Sequence, residues 1–461
     1  MKKIFIASVL VLLTLSGAIC KTTSPEVAER TKPIQLNYWR VFDDSDAFSE
    51  LIAAYNQLHP NINITYRKLR YEEFEQKLLD ALAEDRGPDL FSLHNTWLRG
   101  YQSKLLPLPD TISIPYRTVQ GTIKKDVVWT LDTKKTISER EIQTNFIDQV
   151  AQDVIIPTYD ETSKSTKKLV YGLPLSVDTM ALFYNKELLN AAGIAEPAKD
   201  WQTFQEHVKK LTKQAPDGSI SIAGAAIGSA ENIERSTDIA SVLMMQNGAK
   251  MTDDAGRATF NLIPAELSGR TMPPGAEALT FYTDFASPQK EVYTWNEAMQ
   301  NSLNTFIQGR VAYFFGYAYH IPTIKAQAPK LQYGIAKLPQ ISGNQEINFA
   351  NYWVEVVSKK TQYPDETWDF IQFITNQDNV EKYLNKTVKP TALRGLIQKQ
   401  SEDATLYTFV SQLLTAKSWY KGKDALSAET AIKEMIKDVV SGARTVTEAI
   451  DFAIKKLDQT I

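Results

Sequence analysis

Residues 34–93 read IQLNYWRVFDDSDAFSELIAAYNQLHPNINITYRKLRYEEFEQKLLDALAEDRGPDLFSL, and their periodicity decides the fold. IQLNYW (34–39) alternates apolar and polar positions, the pattern of a half-buried strand. Asp46 stands where a helix N-cap belongs, and Phe48, Leu51, Ile52, Tyr55 and Leu58 then fall on one helical face until Pro60 ends it. INITY (62–66) predicts a second strand. Phe74, Leu78, Ala81 and Leu82 mark a second helix stopped by Gly87-Pro88, and DLFSL (89–93) predicts a short buried strand. Strand, helix, strand, helix, strand at this spacing implies a parallel sheet with helices on its faces.

Upstream, Lys2 and Lys3 precede an apolar run over residues 4–15, followed by SGAIC (16–20). A basic start, a run of about 12 apolar residues and a small-residue exit predict a secretory signal. The run is shorter than the roughly 20 residues that span a bilayer. Cys20, directly after it, resembles the lipobox cysteine of bacterial lipoproteins. That resemblance implies acylation at Cys20, which becomes the mature N-terminus, and an extracytoplasmic site on the cell membrane. Ile19 departs from it, since a small residue is usual there. Residues 21–33 (KTTSPEVAERTKP) are polar, aperiodic and carry two prolines, and predict a flexible tether.

Downstream, 107–168 is rich in Pro, Thr and Lys, with one helical pattern around Ile142, Phe146, Ile147 and Val150, and reads as a long excursion from the first domain. Order returns at VYGLPLSV (170–177). Helices are predicted near 186–192, 201–213, 238–247 and 296–308, the last with the stripe Met299, Leu303, Phe306 and Ile307 and a stop at Gly309. Strands are predicted at VAYFF (311–315) and WVEVV (353–357), then helices to the end.

A chain of 461 residues with 43% hydrophobic, 23% charged and 10% aromatic residues is a globular chain of two or three domains, not a disordered or fibrous one. A net charge of -3 argues against a broad nucleic-acid footprint. One cysteine and 4 histidines exclude an internal disulfide and a Cys-rich zinc site. The H-E-x-x-H, G-x-S-x-G, P-loop and dinucleotide motifs are all missing from the sequence. Asp43-Asp44-Ser45-Asp46 lacks the Gly and terminal Glu of a calcium loop. The expectation is a protein with no cofactor or metal, while 54 acidic residues leave a carboxylate pair for glycoside hydrolysis open.

Several phrases then line up in a familiar order: IQLNYW (34–39), KLLDALAEDRGPDLFSL (77–93), VYGLPLSVDTMALFYNKELLNAAGI (170–194), KDWQTFQEHVKKLT (199–212), NEAMQNSLNTFIQGRVAYFFGY (296–317), NYWVEVVSK (351–359) and PDETWDFIQFIT (364–375). In this the chain resembles the family 1 extracellular solute-binding proteins of ABC importers, the maltodextrin-binding type. The resemblance implies a two-lobed α/β fold of the periplasmic-binding-protein type II, each lobe a mixed, mostly parallel sheet flanked by helices, with a hinge between. It places lobe one at 34–177 plus 311–352 and lobe two at 178–310 plus 353–461. It also implies a monomeric receptor, not an enzyme, that captures a small molecule, above all a carbohydrate, between closing lobes and delivers it unchanged to the membrane subunits of a permease. This sets the glycosidase reading aside. The alternatives are the same scaffold for another solute, such as a glycerol-phosphate compound or a peptide, and a surface lipoprotein for sensing or adhesion.

Of the 8 tryptophans, Trp39, Trp97, Trp295 and Trp353 lie at strand or helix ends, where the family turns toward the cleft. An aromatic face suits the C–H face of a sugar ring, and polar neighbours fix its orientation. Asp43, Asp44, Asn95, Asp178 and Asn351 are the polar candidates, and Tyr317, with Tyr319, can stack or offer a hydroxyl. Each of these has a plain structural alternative, as core packing or as a helix-capping acid. Trp201 and Trp368 sit on amphipathic helices and are assigned to packing.

Overall fold

The alternation in residues 34–93 is realised as three parallel strands, Ile34–Val41, Ile62–Leu69 and Leu90–His94. This is seen in a computed structural model that describes residues 24–120 and 126–461. Cys20 and the leader lie outside the described residues. The helix Asp46–Leu58 buries Phe48, Leu51 and Tyr55, three of the five stripe residues, against this sheet. The strand Trp353–Ser358 joins it antiparallel to Leu90–His94, and Leu173–Pro174 and Leu105–Leu106 complete six strands.

A second sheet has five strands, in the order Lys213–Gln214, Ile220–Ala225, Val311–Gly316, Ala181–Asn185, Tyr333–Lys337. All six residues of Val311–Gly316 are buried, as a central strand covered on both faces requires. Each sheet has its own hydrophobic core. The result is the two-lobed α/β fold expected.

The partition of the chain differs from the one expected. Val311–Gly316 pairs with Ala181–Asn185 and Ile220–Ala225, so it belongs to lobe two. Trp353–Ser358 pairs with Leu90–His94, and the helix Pro364–Thr375 buries Trp368, Phe370 and Ile371 in the lobe-one core. The two strands are short apolar runs of the same kind, so their composition says nothing about which sheet receives them. Lobe one runs over 34–177 and 352–416 apart from Phe409. Lobe two covers 180–349 and the C-terminal helices Ala425–Val440 and Val446–Leu457.

Between the cores lies a three-stranded sheet made of Asp178–Thr179, Asn348–Asn351 and Ala416–Lys417. Asp178 pairs with Asn351 and Thr179 with Ala350, antiparallel; Asn348 pairs with Ala416 and Phe349 with Lys417, parallel. All the main crossings between the lobes are therefore hydrogen-bonded side by side.

Three further segments depart from expectation. The excursion at 107–168 is two hairpins, Thr111–Gln120 with Asp126–Lys135 and Ile155–Asp160 with Ser165–Val170, separated by short helices. The helix at 296–308 is only Ser302–Ile307, because the Asn301 side chain caps the Leu303 and Asn304 amides and starts it there. The tether is not free either. Pro25–Arg30 is a helix capped by Ser24, with Val27 buried and Arg30 paired to Asp365 at 3.0 Å. Ser followed by Pro is itself a helix-start signal.

Trp295 and Trp368 have no exposed surface and lie in different cores. Each Trp→Ala variant is expected to lose about 3–5 kcal/mol of unfolding free energy, read by urea denaturation. A loss under about 1 kcal/mol at either position contradicts the core assignment.

Candidate functional site

Beside the hinge sheet, both lobes line a cavity of about 70 Å³. Lobe one contributes Tyr71, His94 and Trp97; lobe two contributes Arg235, Asp238, Trp419 and Glu429. Pockets for small ligands hold roughly 300–1,000 Å³, so a ligand of that size fits here only if the lobes separate. A second cavity, about 400 Å³, shares Trp97 and Ala425 with the first and is flanked by Glu75, Tyr101, Lys104 and Asp424.

The lobe-one wall is aromatic. Trp353, half-buried, is the hub: its ring meets those of Phe42, His94 and Trp97 edge-on at 5.6, 5.7 and 5.7 Å. Trp97 stacks on Tyr101, and Phe42 stacks on Tyr71 at 5.8 Å. Phe42 and Tyr71 keep 55% and 41% of their surface exposed, leaving ring area for a ligand. Phe42 has φ of 72°, with the Asp43 amide donating to the Val41 carbonyl at 2.9 Å. That is a γ-turn with a left-handed centre, a strained conformation for an aromatic residue.

His94 hangs between the walls. Its Nδ1 lies 2.8 Å from Thr96 Oγ1 and its Nε2 3.2 Å from Asn351 Oδ1. Burial, reinforced by the Arg235 charge, pushes its pKa down to about 4. The ring is therefore neutral at pH 7, with Nε2–H donating to Asn351 and Nδ1 accepting from Thr96.

The lobe-two wall is polar, with its cation Arg235 held between two carboxylates, Asp238 and Glu429. Arg235 Nε and one terminal nitrogen each donate to an Asp238 carboxylate oxygen at 2.8 Å. Its other terminal nitrogen faces Glu429 at 3.6 Å. Tyr317 donates to Asp238 at 2.7 Å. Asp238 lies in the first turn of the helix Ser236–Gln246, where a negative charge complements the helix dipole. Arg235 precedes that helix with φ of 56°, so a strained residue stands on each wall. Trp419 is fixed by its Nε1–H donating to Ser241 at 3.0 Å.

The ten residues singled out by sequence divide clearly. Trp97 lines the cavity. Trp353, Asn351 and Tyr317 stand directly behind it, touching Trp97, His94 and Asp238 respectively. Asn95 is buried at the lobe junction, donating to Asp153 at 3.0 Å and Ser418 at 2.8 Å. Asp178 is in the hinge sheet. The other four lie elsewhere. Trp39 is on the opposite face of its strand from Tyr38 and Arg40, with the Arg67 guanidinium 4.9 Å over its ring. Trp295 is in the lobe-two core, donating to Asn232 at 3.1 Å. Asp44 pairs on the surface with Lys68. Asp43 is buried in an ion cluster with Arg40 at 3.1 Å and Lys389 at 2.5 Å, and accepts from Tyr383. Burial pushes its carboxyl up, but the Arg40 and Lys389 charges outweigh this and hold it below the usual range.

Tyr71, His94, Arg235, Asp238, Trp419 and Glu429 were missed. His94 and Tyr71 adjoin strand ends that the periodicity had already located, so a rule admitting every aromatic or polar residue there finds them. Asp238 and Glu429 lie on helices and Arg235 immediately before one, in no motif, and only the tertiary fold brings them together.

A two-lobed molecule with a cavity lined by both lobes beside the hinge has the architecture of a solute-binding protein. The chain belongs to the bacterial extracellular solute-binding protein family, whose sequence profile matches residues 42–381. Among its relatives, the maltodextrin-binding protein of Bacillus subtilis is 24% identical over 305 residues, covering 63% of this chain and 67% of that protein. The galactooligosaccharide-binding protein of the same organism is 21% identical over 390 residues, covering 83% and 79%. An ABC substrate-binding protein from Listeria monocytogenes, solved in complex with cycloalternan, superposes with a TM-score of 0.68 at 16% identity, covering 93% of this chain and 99% of that one.

Asp178 gives the hinge a measurable signature. Burial raises its pKa to about 7, against the amides of Ala318, Thr179 and Tyr319 that stabilise the carboxylate. A carboxyl with a raised folded-state pKa is fully accommodated below the unfolded value near 4; its contribution to stability is lost as pH rises to 7. Asp178→Asn removes that dependence. Between pH 5 and 7 the parent is expected to lose stability relative to the variant by up to about 1.4 kcal/mol per pH unit. Parallel stability curves for the two proteins contradict the assignment.

Proposed function

We propose that this protein is the extracytoplasmic receptor of an ABC importer, anchored through an acylated Cys20, and that it captures a neutral sugar or oligosaccharide between its lobes. One observation carries the choice of ligand. Arg235, the cation on the cavity wall, has two nitrogens committed to Asp238 and a third facing Glu429. With His94 neutral, these groups leave no free positive charge at the first cavity, which argues against seating the phosphate of a glycerol-phosphate compound there; Lys104 and Lys423 lie at the second cavity. Polyhydroxylated neutral rings suit what is left: aromatic faces on lobe one, and hydroxyl and carboxylate acceptors on lobe two. The Bacillus subtilis relatives named for maltodextrin and galactooligosaccharide binding support the same class. The second cavity beyond Trp97 favours a ligand of more than one ring, lying across that side chain.

A thermal-shift screen of residues 21–461 against neutral mono- and oligosaccharides and their phosphorylated counterparts tests the ligand class. A neutral sugar at 100 times its Kd adds about 2.7 kcal/mol to stability. Trp97→Ala is expected to weaken that sugar roughly thirtyfold, by analogy with hot-spot truncations of about 2 kcal/mol. Stabilisation by phosphorylated compounds alone, or unchanged affinity in a folded Trp97→Ala, refutes the proposal. Cys20→Ser, expressed with its leader, is expected to leave the membrane fraction or accumulate as precursor. Unchanged retention refutes the acyl anchor.

A further inference from the structure

The hairpin Thr111–Gln120 with Asp126–Lys135 is longer than its attachment to lobe one requires. Each strand has 10 residues, about 33 Å at the usual rise. Only the base is integrated. Ile112 and Ile114 are in the lobe-one core, and the Ser113 amide donates to Asp365 at 3.2 Å. Further out, Pro115 offers its carbonyl to buried His59. Beyond Tyr116 the residues turn outward: Arg117, Thr118 and Val119 are all exposed.

In the antiparallel register Arg117 faces Trp129, Val119 faces Val127 and Pro115 faces Leu131. Directly opposed residues share one face of a ribbon, so this face carries Val119, Val127, Trp129 and Leu131 in a row with Arg117 among them. Val119 and Val127 expose 55% and 49% of their surface. A Trp beside a cation and aliphatic side chains is the composition that settles at the headgroup level of a bilayer.

The position of the N-terminus supplies the occupant. The helix Pro25–Arg30 packs on both strands of this hairpin, and Arg30 donates to the Ser113 carbonyl at 2.9 Å. The described chain therefore begins against this hairpin. Cys20 stands only four residues before Ser24, a span of at most about 14 Å. A bilayer holding Cys20 lies within reach of the outer half of the hairpin.

We propose that the Arg117–Val119 and Val127–Leu131 segments rest on the membrane surface, a second contact beside the N-terminal anchor that orients the receptor on the bilayer. The location of the bilayer rests on the proposed anchoring at Cys20; the chemistry of the face does not. Chemical attachment at the chain's 1 cysteine separates the two. Residues 20–461, which contain both cores, are coupled through Cys20 to a maleimide lipid in phosphatidylcholine vesicles containing about one-third phosphatidylglycerol. Tryptophan emission is compared with and without brominated acyl chains.

The difference between the parent and Trp129→Phe isolates the Trp129 signal, which is expected to be quenched in brominated vesicles. Val119→Ser with Val127→Ser, which alters only exposed side chains, is expected to lose at least half of that quenching while melting like the parent. For the uncoupled chain, Arg117→Glu is expected to weaken partitioning onto the same vesicles roughly thirtyfold. Equal Trp129 emission in brominated and plain vesicles, or quenching unaffected by the valine substitutions, overturns the proposal. A hairpin-dependent dimer in sedimentation velocity without lipid overturns it too, assigning the face to a second copy.

Discussion

Everything in this molecule turns on the small sheet in which Asp178–Thr179, Asn348–Asn351 and Ala416–Lys417 run side by side between two separately packed cores. Backbone hydrogen bonding ties the crossings together, so the lobes are expected to move as bodies about one axis rather than as loosely linked domains. Asp178, at the edge of this sheet, also accepts the Tyr319 amide of lobe two at 3.4 Å. Asp178 thus joins the hinge sheet through its backbone and meets lobe two through its carboxylate.

The two walls of the cleft have different chemistry, each held by residues behind it. On lobe one, the Phe42 γ-turn is followed at once by Asp43, whose buried bonds to Arg40, Lys389 and Tyr383 hold the turn in place. The Arg40 charge is shared with Glu355 at 3.4 Å, and Glu355 accepts from Tyr38 and Ser92 at 2.7 and 2.8 Å. A buried ion cluster of this kind contributes little net stability, but losing one member strands the others. Here it sets the angle at which an aromatic wall is presented. On lobe two, the Arg235–Asp238 pair does the corresponding work while cancelling its own charge. The cleft therefore offers aromatic surface and hydrogen bonding, with its cation Arg235 paired to Asp238 and facing Glu429.

Much of this was legible in the sequence, and the failures have identifiable causes. The first sheet followed from 34–93 because alternation and helical stripes are local patterns. Strand membership did not: VAYFF and WVEVV are equally apolar, and pairing is decided by distant partners. The same limit explains the tryptophans. A strand end places Trp39 near the cleft in sequence, but its neighbours Tyr38 and Arg40 are buried on the inner face, so alternation turns Trp39 the other way. Trp97 follows its strand in a short helical turn, free of that alternation, and reaches the cavity. Trp295 has half-buried Asn232 as its polar partner, a contact with no sequence signature. Cap chemistry was the overlooked local signal, at Ser24 and at Asn301.

The central claim is that ligand is held by both lobes at once, so that binding and closure are one equilibrium. The direct measurement is the distance between spin labels at the exposed positions of Lys77 on lobe one and Lys437 on lobe two, in a Cys20→Ser background, by pulsed electron paramagnetic resonance. A neutral sugar identified by thermal shift should move the population to a shorter, narrower distance, with a midpoint equal to its binding constant. An unchanged distance distribution at saturating sugar would contradict the account.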